Sequence, residues 1–209
     1  LAEDAVNLPN LLTMTRVIMI PACLYFLERG TKVDCFWAAI IFTVASLTDA
    51  LDGWLARRMG VVSVLGKFLD PLADKLIVMA SLIWMVPMGR IPGWAVILLL
   101  AREISVTGLR SVAANEGVVI AAGSEGKTKT ALQMAGIIAL LLGYPYHLSY
   151  AGVDCGMVDT VVIGQWLVYG SLFFSLLSAV EYVRVFGLAV EAKETRRKEK
   201  DAAREAARA

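Results

Sequence analysis

Four aspartates stand within the stretch DALDGWLARRMGVVSVLGKFLDPLADK, where most of the flanking residues are apolar. Asp49 and Asp52 are spaced i,i+3, and Asp70 and Asp74 are spaced i,i+4, so on helices each pair lies on one face. An ionised aspartate deep in a bilayer costs roughly 3 kcal/mol, and such residues are rare and usually functional. Acids wetted at helix ends would account for one or two of them, but not for the spacing. Gly53 and Ala56 continue the first acidic face, and Gly66 precedes the second by one turn. These small residues let a ligand approach the backbone. Four carboxylates brought together repel one another and require cations. An all-oxygen donor set favours hard ions such as Mg2+ or Mn2+, and this many acids suits two of them.

The elements that position these acids are read from hydropathy. The chain has 209 residues, 58% of them hydrophobic, with a formal net charge of +1 and a mean hydropathy of +0.66. Soluble domains are nearer half apolar. Six apolar runs approach the ~20 residues that a helix needs to cross a bilayer: 8–27, 36–55, 69–88, 91–112, 131–150 and 161–183. None keeps the period of two that marks a barrel strand. The predicted class is an all-α integral membrane protein with six transmembrane helices. Antiparallel neighbours joined by a short loop would bring both acid pairs to one depth, with Pro71 suited to a first helical turn.

Lys and Arg set the orientation. Arg57, Arg58 and Lys67 lie between spans two and three, and Lys127 and Lys129 between spans four and five. The opposite connections carry only Arg29, Lys32 and Arg90, which predicts cytoplasmic N and C termini. Residues 1–188 read as one transmembrane domain and 189–209 as a charged cytoplasmic helix. From Glu191 onward that tail has seven bases against five acids, which suits either a solvated helix with i,i+4 ion pairs or an anionic-lipid contact. Three cysteines, Cys23, Cys35 and Cys155, are too few and scattered for a metal cluster. Cys35 and Cys155 share the outward side, which leaves a bridge open, and His147 reads as a solvated loop residue.

The pattern Asp49-x-x-Asp52-Gly53-x-x-Ala56-Arg57, eight residues, Gly66-x-x-x-Asp70-x-x-x-Asp74 resembles the complete signature of the CDP-alcohol phosphotransferase family. The resemblance implies an enzyme that displaces CMP from a CDP-linked substrate with an alcohol nucleophile. It implies metal ligation by Asp49, Asp52 and Asp70, with Asp74 as general base, ligand or both. It places Arg57 on a phosphate and Ser63 near the nucleotide, within a CDP-lipid site that includes Gly53, Ala56 and Gly66. Asn10, Thr13 and Arg16, spaced i,i+3,i+6, either line the cytidine side or simply open the first helix. A homodimer is implied by the resemblance alone. A transporter also keeps acids in its spans but has no need of the Gly-x-x-Ala-Arg between them. A noncatalytic lipid-binding protein has no use for four metal ligands.

The acceptor is read from cations. ILLLAREISVTGLRS carries Arg102, Glu103 and Arg110, and GSEGKTKTALQ carries Lys127 and Lys129. One account makes Arg102–Glu103 a structural pair and the lysines topology signals. The other converges Arg102, Arg110, Lys127 and Lys129 on a second anionic phosphate, which a choline or ethanolamine acceptor would not need. Together with NLPNLLTMTR, TDALDGWLARR and GKTKTALQMAG, these stretches resemble the bacterial branch of the family. That branch implies CDP-diacylglycerol as donor, sn-glycerol 3-phosphate as acceptor, and a site facing the cytoplasm from the bacterial inner membrane. The rival within the family uses phosphatidylglycerol as acceptor.

Overall fold

A computed structural model describes residues 8–59, 64–115, 125–150 and 153–206. Among these, the side chains of 8–14, 49–59, 64–74, 115, 125–127, 148–150, 153–155 and most of 189–205 lie outside the description. Six helices follow in order: α1 (Leu8–Arg29), α2 (Lys32–Met59), α3 (Val64–Met85), α4 (Gly93–Asn115), α5 (Glu125–Leu142) and α6 (Thr160–Ala206). A two-stranded antiparallel hairpin, β1 (Pro145–Tyr150) and β2 (Val153–Asp159), lies between α5 and α6.

Helix boundaries follow local chemistry. Gly30, at φ +66°, ends α1 in a left-handed conformation that other residues adopt only at a cost. Thr31 then caps α2, its hydroxyl accepting the Asp34 amide at 3.2 Å while donating to the Asp34 carboxylate at 2.6 Å. Asp159 caps α6, its carboxylate accepting the amides of Val161 and Val162. Pro71 is not in a first turn as the sequence suggested, because α3 already begins at Val64.

The fifth apolar run also departs from expectation. Instead of a helix across 131–150, α5 starts earlier and stops at Leu142, and the chain turns at Gly143 (φ +62°) into β1. Pro145 has no amide to donate and cannot continue the helix. The all-α expectation is therefore corrected by one hairpin. Cys35 is a buried free thiol, so the bridge to Cys155 does not form.

The helices run up and down. Lys32 donates to the Pro145 carbonyl, Tyr144 to the Gly30 carbonyl, and Gln165 to the Arg90 carbonyl. These bonds gather the α1–α2 turn, the α3–α4 turn and the hairpin at one end of the bundle. α5 packs chiefly on α6, α1 on α2 and α3, and α4 mainly on α6, leaving α3 and α4 in sparse contact. At the α5–α6 crossing the backbones nearly touch: a Cβ on Gly164 would lie 2.9 Å from the Gly136 carbonyl oxygen. Phe42, Leu82, Met85, Ile137, Leu140 and Val168 fill the core between helices.

Much of the outer surface is apolar. Ile18 on α1, Trp37 on α2, Ile83 on α3, Ile97 on α4 and Trp166 on α6 are all exposed. A solvated bundle would bury such residues, whereas lipid leaves them where they are. Among the described residues, one helical stretch, Thr160–Leu188, is long and apolar enough by itself to cross a membrane, with Lys75–Met85 and Thr128–Leu142 as shorter apolar helices. α6 runs on past that stretch as one helix of 47 residues, roughly 70 Å long.

Candidate functional site

The acid pairs lie on consecutive helices whose ends are separated only by residues 60–63. Asp49 is ten residues before the end of α2 and Asp74 ten after the start of α3, while Asp52 and Asp70 are seven and six from the same ends. At 1.5 Å per residue, matched positions fall about 15 Å and about 10 Å from the connection, so the four acids occupy two paired levels. Gly53, Ala56 and Arg57 follow on α2, and Gly66 precedes on α3. All of their side chains lie outside the described residues, as does Ser63 altogether. The donor set, four carboxylates and nothing softer, is the chemistry that hard divalent ions take.

Next to these acids the structure does describe a polar cluster. Glu103 on α4 accepts Lys129 Nζ of α5 at 2.9 Å and Arg102 Nη1 at 2.9 Å through the same oxygen. Its other oxygen lies 3.7 Å from Lys75 Nζ of α3, the residue after Asp74. Lys75 also donates to the Thr107 hydroxyl, which itself donates to the Glu103 carbonyl one turn back at 2.8 Å. Lys129 is 7% exposed, so its ammonium is held where few waters can replace its partners. A cavity of about 80 Å³ opens beside the cluster, lined by Lys75, Glu103, Lys129, Thr130 and Gln133 and, on its apolar side, by Met79 among others. That is room for several waters or a small polar group.

The cations named from sequence separate here. Lys129 belongs to the cluster. Arg102 joins the cluster to α6: besides its bond to Glu103, Nε donates to the Ser175 carbonyl at 3.0 Å and Nη2 to the Ser178 hydroxyl at 2.9 Å. Arg110 is seven residues beyond Glu103, exposed, with its guanidinium carbon 5.7 Å from the centre of the Tyr182 ring. Lys127 sits in the first turn of α5, and Asn10 and Thr13 near the start of α1, with side chains outside the described residues. Arg16 is buried, 1% exposed. Lys75 escaped the sequence reading. Its signal was its place one residue after Asp74, which on a helix turns it about 100° off the acidic face and toward a neighbouring helix.

Residues 6–177 match the model of the CDP-alcohol phosphatidyltransferase family, and the chain belongs to that family. It is a family of integral membrane enzymes. The chain is 38% identical over 188 residues to the CDP-diacylglycerol--glycerol-3-phosphate 3-phosphatidyltransferase of Bacillus subtilis (strain 168), covering 84% of this chain and 93% of that one. A protein of the same name from Rickettsia bellii (strain RML369-C) is 31% identical over 178 residues, covering 85% and 94%. CDP-diacylglycerol--glycerol-3-phosphate 3-phosphatidyltransferase 2 of Arabidopsis thaliana is 36% identical over 203 residues, covering 88% and 81%.

Proposed function

We propose that this protein transfers the phosphatidyl group of CDP-diacylglycerol to sn-glycerol 3-phosphate, giving phosphatidylglycerol phosphate and CMP. The observation that carries this reading is the convergence of Lys75 and Lys129 at the wall of one cavity, beside the acidic helices. Arg102 and Glu103 offset each other in charge, so the two lysines leave a local balance of about two positive charges. A phosphate monoester carries about −1.5 to −2 at pH 7, a closer match than a phosphodiester with one charge. The names of the relatives support the same acceptor.

In this reading the acceptor phosphate rests on Lys129, with Arg110 and Lys127 completing the cationic side and Arg102 behind them as a brace to α6. The acceptor hydroxyl attacks the lipid-side phosphorus of the pyrophosphate. A new P–O bond forms as the P–O bond to CMP breaks, and Asp74 takes the hydroxyl proton. Asp49, Asp52, Asp70 and Asp74 would hold two divalent ions, Mg2+ or Mn2+, which when bound neutralise charge on the pyrophosphate. Arg57 contacts the donor phosphate, and Asn10, Thr13, Gly53, Ala56, Ser63 and Gly66 border the nucleotide end.

The same reading sets all six helices across a bacterial inner membrane, with both termini and the acids on the cytoplasmic side and two copies forming a homodimer. Residues 189–209 form its charged cytoplasmic extension. The test is an acceptor panel with purified protein and CDP-diacylglycerol, following CMP release. Glycerol 3-phosphate should be turned over well ahead of phosphatidylglycerol, inositol phosphate, serine and glycerol. Preference for any other acceptor overturns this assignment and leaves family membership intact.

A further inference from the structure

We infer that Glu103 is a positioning residue for the acceptor: it holds Lys75 and Lys129 in place before the substrate phosphate arrives. This deepens the proposed acceptor assignment and rests on it. Lysine ammoniums sit on flexible four-carbon stems with considerable rotamer freedom, and two of them near one cavity repel each other. A single carboxylate between them removes both problems. Glu103 bonds Lys129 at 2.9 Å and lies 3.7 Å from Lys75, so one residue of α4 gathers cations from α5 and α3.

Glu103 is itself fixed from behind. Arg102 Nη1 bonds the carboxylate, while Arg102 Nε and Nη2 bond α6 at Ser175 and Ser178. The chain of contacts therefore runs from α6 through Arg102 and Glu103 to the two lysines. α3 and α4 otherwise touch little, so once the carboxylate is removed Lys75 is tied to α4 mainly through the Thr107 hydroxyl, which carries no charge to oppose its ammonium. Ordering the lysines in advance lowers what the acceptor must organise on binding.

The test compares wild type, Glu103→Gln, Glu103→Asp, Lys129→Gln and the double variant Glu103→Gln/Lys129→Gln, each purified in detergent. KM is measured separately for glycerol 3-phosphate and for CDP-diacylglycerol. Glu103→Gln should raise the acceptor KM about 10- to 100-fold and leave the donor KM within about twofold. Glu103→Asp keeps the charge and should recover part of the loss. It carries the test if Glu103→Gln fails to reach the membrane. The double variant should raise the acceptor KM over Lys129→Gln by clearly less than Glu103→Gln raises it over wild type, because with Lys129 gone only the Lys75 part of what Glu103 positions is left to lose. Unchanged acceptor KM in Glu103→Gln, equal loss for donor and acceptor, or multiplying losses in the double variant would each overturn the inference. Wild type inactive with glycerol 3-phosphate would overturn the acceptor assignment and this inference with it, whereas an active wild type separates the two.

Discussion

Two buried cations at opposite ends of the bundle show how differently the same kind of charge is used. At the hairpin end, Arg90 is 6% exposed and bonds the carbonyls of Leu140 and Leu141 at 2.9 and 2.8 Å and the Cys35 sulfur at 3.0 Å. Those carbonyls belong to the last turn of α5, which has no helical partners for them, and a cation there also favours the helix dipole. Its guanidinium leaves no room for a side chain at Gly143, where a Cβ would lie 2.1 Å from the guanidinium carbon. Arg90 is closed in by the protein's own backbone. Lys129, at the acidic end, meets a single carboxylate shared with Arg102 and Lys75, and it borders a cavity. A buried cation whose bonds run to backbone carbonyls holds the fold. One that shares a side-chain carboxylate at a cavity wall still has donors to offer a ligand.

The sharpest break of this comparison comes from the acids proposed to hold the metals at the other end. Asp49→Asn, Asp52→Asn and Asp70→Asn should each lower CMP release at least about 1,000-fold while the protein still accumulates in membranes. Near-normal turnover of any of them at saturating Mg2+ or Mn2+ would defeat the two-metal reading. Asp74→Asn should lose kcat far more than donor affinity. A defect dominated by weak CDP-lipid binding would make Asp74 a ligand and not a base.

Arg90→Met tests the structural end. It strands two buried carbonyls and should lower stability by about 3 kcal/mol, read as a drop in Tm of the detergent-solubilised protein. KM for both substrates should be unchanged in the fraction that stays folded. A selective change in acceptor KM would erase the distinction between the two ends.

Lys129→Gln, Lys127→Gln and Arg110→Gln should behave in the opposite way. Acceptor KM rises about 10- to 100-fold, donor KM holds, and Tm moves little. Glycerol as a phosphate-free acceptor serves as control, since equal losses with both acceptors would make these residues structural. The smallest effect is expected from Thr31→Ala, which removes the cap of α2 at the hairpin end and should cost about 1 kcal/mol in stability with no kinetic signature.

The acid levels were readable because everything that sets them is local. Spacings of three and four residues and a short connection between two apolar runs fix which positions share a helical face and a depth. The cations were harder. By sign and side of the membrane Arg102, Arg110, Lys127 and Lys129 form one group, whereas the structure also ties Arg102 to α6 and adds Lys75 to the Glu103 cluster. In the sequence Arg90 is one charge in a short connection, whereas in the fold it bonds two backbone carbonyls of α5.

The sequence by itself determined the family signature, the helical class and the positions of the four acids, because each depends on residues within one or two turns of one another or on the mean character of a twenty-residue run. Only the tertiary structure decided that the fifth run bends into a hairpin, that α6 continues unbroken into the charged tail, and that Glu103 gathers cations from three helices. Those outcomes depend on which helices become neighbours, and a carboxylate on α4 meets both Lys75 and Lys129, residues 28 and 26 positions away, only once packing has brought them within about 4 Å.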